Sequence, residues 1–281
     1  LALIWLLDAA LQYQPYMFSA GFAKSTIAPA AYGNPAVVAS SITWAAGAMG
    51  REAVASNAIF ATIQLVIAAG MLHRRTIKPA LAASIGWALG VWWFGEGLGG
   101  VLSGASPLQG APGAVVLYAF LAILVWPTSR QPVAGGTVAE SGLAGRLGAR
   151  AGWVLLWTAL AYMFLLPSAN RAPSAAAALI AGMGNGEPAP LLAMAHEMAR
   201  LLAGEGLAVA VGAAAACVLV AASMFGSATA RRIGVGLAVT VGLAIWVAES
   251  FGGILTGRGT DPNSGLLLVF VAAAFWPLQT P

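Results

Sequence analysis

The segment at residues 92–100, WWFGEGLGG, returns at residues 246–253 as WVAESFGG, and the return is in register. Trp93 and Trp246, Glu96 and Glu249, Gly99 and Gly252, and Gly100 and Gly253 are each 153 residues apart. The same offset carries Leu102 and Gly104 onto Leu255 and Gly257. Upstream it carries Gly33, Pro35, Ala36 and Glu52 onto Gly186, Pro188, Ala189 and Glu205. One spacing held over roughly seventy positions predicts two copies of a unit of roughly 130 residues. The first copy is expected at 1–127, a cytoplasmic linker at 128–150 and the second copy at 151–281.

The solvent of these units follows from composition. With 60% hydrophobic and 8% charged residues, the chain cannot present a surface suited to water. The expected class is therefore all-α, a polytopic integral membrane protein of about eight transmembrane helices in two parallel four-helix repeats. Apolar runs at 1–23, 53–72, 79–94 and 114–126 supply the first copy, and 152–166, 207–225, 233–248 and 265–276 the second. Each approaches the roughly 20 residues that cross a hydrocarbon core. Pro15 is expected to kink the first, and Gly86 and Gly90 to bring the third close to a neighbour. Residues 24–52 and 167–205 read as long structured loops, with 36–49 lying along the interface.

Charge places the ends. If the N-terminus, the turns between second and third helices and the linker are cytoplasmic, Arg74, Arg75, Lys78, Arg130, Arg146, Arg150, Arg231 and Arg232 lie inside. Lys24, Arg51, Arg171, Arg200 and Arg258 then lie outside, which agrees with the excess of basic residues on the cytoplasmic side. The expectation is an integral protein of a cell (cytoplasmic) membrane, as in a bacterial inner membrane, with both termini cytoplasmic. An even helix number per copy makes the units parallel rather than inverted. The formal charge of +4 comes from scattered basic residues, so nucleic acid is not an expected partner.

Ionisable groups in or beside apolar runs are costly, which makes them candidates for function. Glu96 and Glu249 end the third helix of each copy ahead of glycines. They read either as proton carriers and cation ligands, or as groups that snorkel to the headgroups or bond their own turns, with Trp92, Trp93 and Trp246 as interfacial anchors. Glu52 and Glu205 open the second helices, where a carboxylate complements the helix dipole. Asp8, Gln12, Gln14 and Gln64 occur in the first copy, where the second offers chiefly Ala, Leu and Val. The first copy therefore reads as the ligand-handling half, with helix packing by these amides as the alternative.

Other patterns exclude chemistry. Gly95, Gly97 and Gly100 fit the dinucleotide glycine spacing but close a membrane helix instead of joining strand to helix. His196-Glu197 has Arg200 where a zinc-protease helix needs its second His, and the chain holds only two histidines and one cysteine, Cys217. No catalytic or metal centre is expected, and no cofactor can be named.

The run Met17-Phe18-Ser19-Ala20-Gly21-Phe22-Ala23-Lys24, then Pro29, then Glu52, then Gly70-Met71-Leu72-His73-Arg74-Arg75, resembles the four-helix DoxX-like membrane family. The likeness covers about residues 1–126, and more weakly 151–277, where only Glu205 and Arg231-Arg232 remain. It implies a quinone-linked or stress-related membrane redox partner. Three functional classes follow: binding and translocation of a small molecule or ion between the two repeats, an accessory subunit of a redox complex, or a structural membrane subunit.

Overall fold

The computed structural model describes residues 1–128 and 136–277. Among them every regular element is helical, apart from an isolated bridge between Thr137 and Pro277. In chain order the first half has α1 (Ala2–Leu11), a one-turn α2 (Ala20–Phe22), α3 (Ala36–Arg51), α4 (Ala53–Met71), α5 (Ile77–Phe94) and α6 (Ala114–Leu124). The short α7 (Val138–Ser141) leads into α8 (Gly145–Leu165), α9 (Ala175–Met183), α10 (Ala189–Leu201), α11 (Gly206–Ser223), α12 (Ala228–Ala248) and α13 (Asn263–Ala274).

Four helices, α4, α8, α11 and α12, are long and apolar enough to cross a membrane. At most 39% of the most apolar window of each is buried inside the protein. The rest is apolar surface such as Val66, Leu155, Leu219 and Leu243, which suits hydrocarbon rather than water. Membrane association follows from this. α1, α6 and α13 are apolar but shorter.

Neighbours run in sequence order. α1 packs on α4, α4 on α5 and α5 on α6, while α8 packs on α11, α11 on α12 and α12 on α13. α6 and α13 then pack together and join the halves, in one core that runs from Trp5 to Phe275. Ala36 and Ala189 open α3 and α10, and Ala53 and Gly206 open α4 and α11, at the 153-residue offset.

Several expectations change. The first apolar run is not a single helix: α1 stops at Leu11, and a 3-10 turn follows at Pro15–Phe18. Proline disfavours the helical region for the residue before it, and Gln14 is extended at φ −66°, ψ 140°. A π-helical turn, Ala23–Ile27, then carries Lys24 to the exterior. The two long loops are largely helical, containing α3 in one and α9 and α10 in the other. α8 begins at Gly145, inside the segment assigned to the linker, where Arg150 Nε donates to Glu140 Oε1 at 2.7 Å and orders the approach. Arg130 of that segment lies outside the described residues. Gly86 and Gly90 do not mediate a close helix contact: a Cβ at either would meet nothing within 4 Å. The close approach between α4 and α5 is at Gly70, where a Cβ would stand 2.9 Å from that of Ala80.

Candidate functional site

The inner face of α4 is a stripe of Asn57, Ala61, Gln64, Ala68 and Met71, spaced alternately by four and three residues as one helix face requires. That stripe turns two amides inward. α1 presents Trp5, Asp8 and Gln12 by the same periodicity. Asp8, Gln12 and Gln64 are only 2%, 4% and 6% exposed, so each has exchanged water for whatever the interior provides.

The interior provides a cavity of about 430 Å³. α1, α4 and α5 wall it, α3 and the π-helical turn cover it, and Thr260 and Asp261 reach in from the loop before α13 in the second half. Its surface is mostly apolar and rich in aromatic rings, among them Trp5, Trp44, Phe60 and Trp87. The Phe60 and Trp87 rings stand 5.4 Å apart, and Trp5 is fixed by its indole N–H donating to Ser84 Oγ at 2.8 Å.

Of the eight candidates taken from the sequence, the cavity gathers Asp8, Gln12, Gln64 and Glu96. Among its buried side-chain atoms, Gln12 Oε1, Gln64 Oε1 and Glu96 Oε2 have no hydrogen-bond partner, and neither has the Trp87 indole N–H, while Asp8 leaves Oδ1 without one and has the Tyr118 hydroxyl within reach of its carboxyl. Buried polar atoms in folded proteins are nearly always satisfied, so such a convergence marks a place where a partner is received. Gln14 stands apart: its amide donates to the Gly259 carbonyl at 3.3 Å and ties the first half to the loop of the second. Glu52 and Glu205 are exposed at the starts of α4 and α11 and make no side-chain cap bond.

Glu96 and Glu249 share one structural duty. Glu96 Oε1 accepts from the backbone N–H of Ala114 at 3.1 Å and of Val115 at 3.3 Å, at the start of α6. Glu249 accepts from Ser264 Oγ–H at 2.5 Å and from Gly265 N–H at 2.9 Å, at the start of α13. Each carboxylate thus satisfies N–H groups that a helix leaves without intrahelical partners. The glycines of the motif make this approach: Gly99 (φ +60°) and Gly252 (φ +76°) press on Pro112 and Pro262, where a Cβ would come within 1.7 and 2.6 Å of backbone atoms. Trp92 assists by donating its indole N–H to the Pro112 carbonyl at 2.7 Å, and Trp93 donates to Ser41 Oγ at 2.9 Å, so both hold protein as well as any headgroup. The two glutamates do not meet. Glu96 keeps one oxygen for the cavity, whereas Glu249 is fully buried with both oxygens engaged.

Two residues outside the sequence candidates complete the site. Asp261 lies in the loop between α12 and α13, close enough to Asp8 and Glu96 for their charges to interact. Burial raises its carboxyl above the ordinary carboxylate range, against the opposing effect of the Thr260 hydroxyl (2.7 Å) and the Asn263 N–H (2.8 Å). Tyr118 of α6 sits beside Asp8 with its ring 4.5 Å from that of Trp5. The only signal for Asp261 in the sequence was an acidic residue in Asp-Pro-Asn-Ser ahead of an apolar run. Among the described residues, no lysine or arginine lines the cavity. No group of three or more His, Cys, Asp or Glu among the described residues is placed to hold one metal ion, so the three carboxyls surround a volume rather than a point.

Comparison with family models, with curated proteins and with solved structures returned no match.

Proposed function

We propose that this chain is an integral membrane protein, built as two parallel four-helix repeats, that binds a small molecule or ion in the cavity of its first repeat and passes it across the bilayer. The observation that supports this is the set of unpartnered buried atoms of Asp8, Gln12, Gln64 and Glu96 around one cavity. A second support is the loss of those groups at the 153-residue offset, where Asp8, Gln12 and Gln64 face Ala161, Leu165 and Cys217. The second half keeps the helix pattern without the polar lining. It contributes Asp261 from above, which makes relative movement of the halves a means of opening the site.

The resemblance to the DoxX-like family supports a different reading, an accessory subunit of a quinone-linked redox complex. Quinone carbonyls are best met by donors such as lysine or arginine, and among the described residues none lines the cavity beside its three carboxyls, so the translocation reading ranks first.

The test uses a panel of neutral, anionic and cationic aromatic solutes of cavity size. Binding is read by quenching of tryptophan fluorescence in detergent and flux by uptake into proteoliposomes. Gly90→Leu places a side chain in the cavity from a position where a Cβ meets nothing within 4 Å. At least one solute class is expected to bind wild type and not Gly90→Leu, with uptake reduced by Asp8→Asn at least about tenfold. Failure of every class to bind would remove the site, and binding without flux would leave a receptor instead of a carrier.

A further inference from the structure

Resting on the reading of this cavity as a ligand site, the lining also specifies what kind of ligand it takes. Three carboxyl groups, Asp8, Glu96 and Asp261, line the cavity, and among the described residues no basic side chain does. Arg258, the basic residue of the same loop, is turned away with its guanidinium 5.0 Å above the Tyr16 ring. Asp8 Oδ1, Gln12 Oε1, Gln64 Oε1 and Glu96 Oε2 are unpartnered oxygens that a ligand bearing N–H or O–H groups would satisfy. A buried carboxyl ionises only where a counter-charge accompanies it and otherwise stays neutral, so a partner that engages these three groups in their charged form brings positive charge.

A bare metal ion satisfies the charge but not the shape. The carboxyls do not converge as ligands of one ion, and a cavity of about 430 Å³ lies in the range of organic ligands, roughly 300–1,000 Å³. The walls supply the remaining feature, since the faces of Trp and Phe rings attract cations and pack against flat apolar groups. Trp5, Trp44, Phe60 and Trp87 give the cavity that character. At the equivalent place the second half keeps only the acid Glu249, with both oxygens engaged, and lacks counterparts of Asp8, Gln12 and Gln64, which gives one site per chain.

We infer that the ligand is a protonated organic amine, its N–H-bearing cation held between Asp8 and Glu96 and its apolar body against the aromatic walls. Gln12 and Gln64 supply further acceptors at the rim of the charged end, and Asp261 closes the site with a third acidic group from the opposite half.

The experiment compares three isosteric probes on the purified wild-type protein at neutral pH: phenethylammonium, phenethyl alcohol and 3-phenylpropionate, each read by tryptophan fluorescence and by calorimetry. The ammonium probe is expected to bind at least about tenfold more tightly than either isostere, and Asp8→Asn to bring the ratio of ammonium to alcohol affinity most of the way towards one. Because the isostere comparison needs no variant, a folding failure of Asp8→Asn does not weaken it. Equal binding of alcohol and ammonium would overturn the cationic class while the cavity stands as a site. Full displacement of the ammonium by millimolar sodium would overturn it in favour of an inorganic cation. Absence of binding by all three probes, with Gly90→Leu indistinguishable from wild type, would remove the amine and the site together.

Discussion

Glu96 holds the backbone of α6 with Oε1 and leaves Oε2 without a partner, and its counterpart Glu249 engages both oxygens at the start of α13. Retention of an acid at matching positions was readable in the sequence, but this difference was not. It depends on whether the two donors fall on one oxygen, as those of Ala114 and Val115 do, or on both, as those of Ser264 and Gly265 do. Asp261 shows the opposite failure. It has no acidic counterpart in the first half, so a comparison of halves passes over it, and only the fold brings it to Asp8 and Glu96. Its raised carboxyl yields a pH prediction. A carboxyl raised by folding contributes stability that is complete below its unfolded value, about 3.9, and is lost as pH rises through the folded value. The ligand-free protein is therefore expected to melt at lower temperature as pH rises from mildly acidic towards neutral, and Asp261→Asn to flatten that decline. Asp8 and Glu96 interact with this group, so the difference between the two melting profiles reports Asp261 together with its effect on those two carboxyls. Parallel profiles would show that its proton plays no part in stability.

At the scale of elements, hydrophobic periodicity carried most of the architecture. The inward stripe of α4 recurs on α11 as Ala210, Ala214, Cys217 and Ala221, each 153 residues beyond its partner, so packing faces were legible even where polarity was not kept. What periodicity hid was the end of α1. Apolar residues resume at Tyr16, Met17 and Phe18 beyond Gln12 and Gln14, and a local rule at Gln14-Pro15 decides the break. The break turns the chain into the π-helical segment that covers the cavity, so a small backbone conflict creates part of the site. The joint between α12 and α13 is an element that rests on one side chain. Glu249→Gln keeps an acceptor but presents an amide to a hydroxyl or backbone donor, which costs about 1–3 kcal/mol when buried. Thermal unfolding in detergent is expected to shift downward for this variant while affinity for the cavity probe stays at the wild-type level. A change of affinity equal to that of Glu96→Gln would mean that Glu249 is coupled to the site after all.

For the whole molecule, the two halves repeat their order of packing and differ in what they enclose. The chain α1, α4, α5, α6 surrounds acids and amides, whereas the chain α8, α11, α12, α13 closes on tryptophan, alanine, leucine and a buried cysteine, with Glu249 as its buried acid. If they are parallel copies, the turn between α4 and α5 and the N-terminal end of α12 face the same side of the membrane, and they carry the exposed arginines Arg75 and Arg232. Cys217 is the one native cysteine and is fully buried, so replacing it by alanine gives a background free of thiols. In that background Arg75→Cys and Arg232→Cys are expected to react with a membrane-impermeant maleimide from the same side of sealed inside-out vesicles, and neither from the outside of intact cells. Reaction from opposite sides would make the units inverted. Asp261 would then approach the cavity from a half facing the other way, and the carrier reading would need a rocking axis in the membrane plane instead of along its normal.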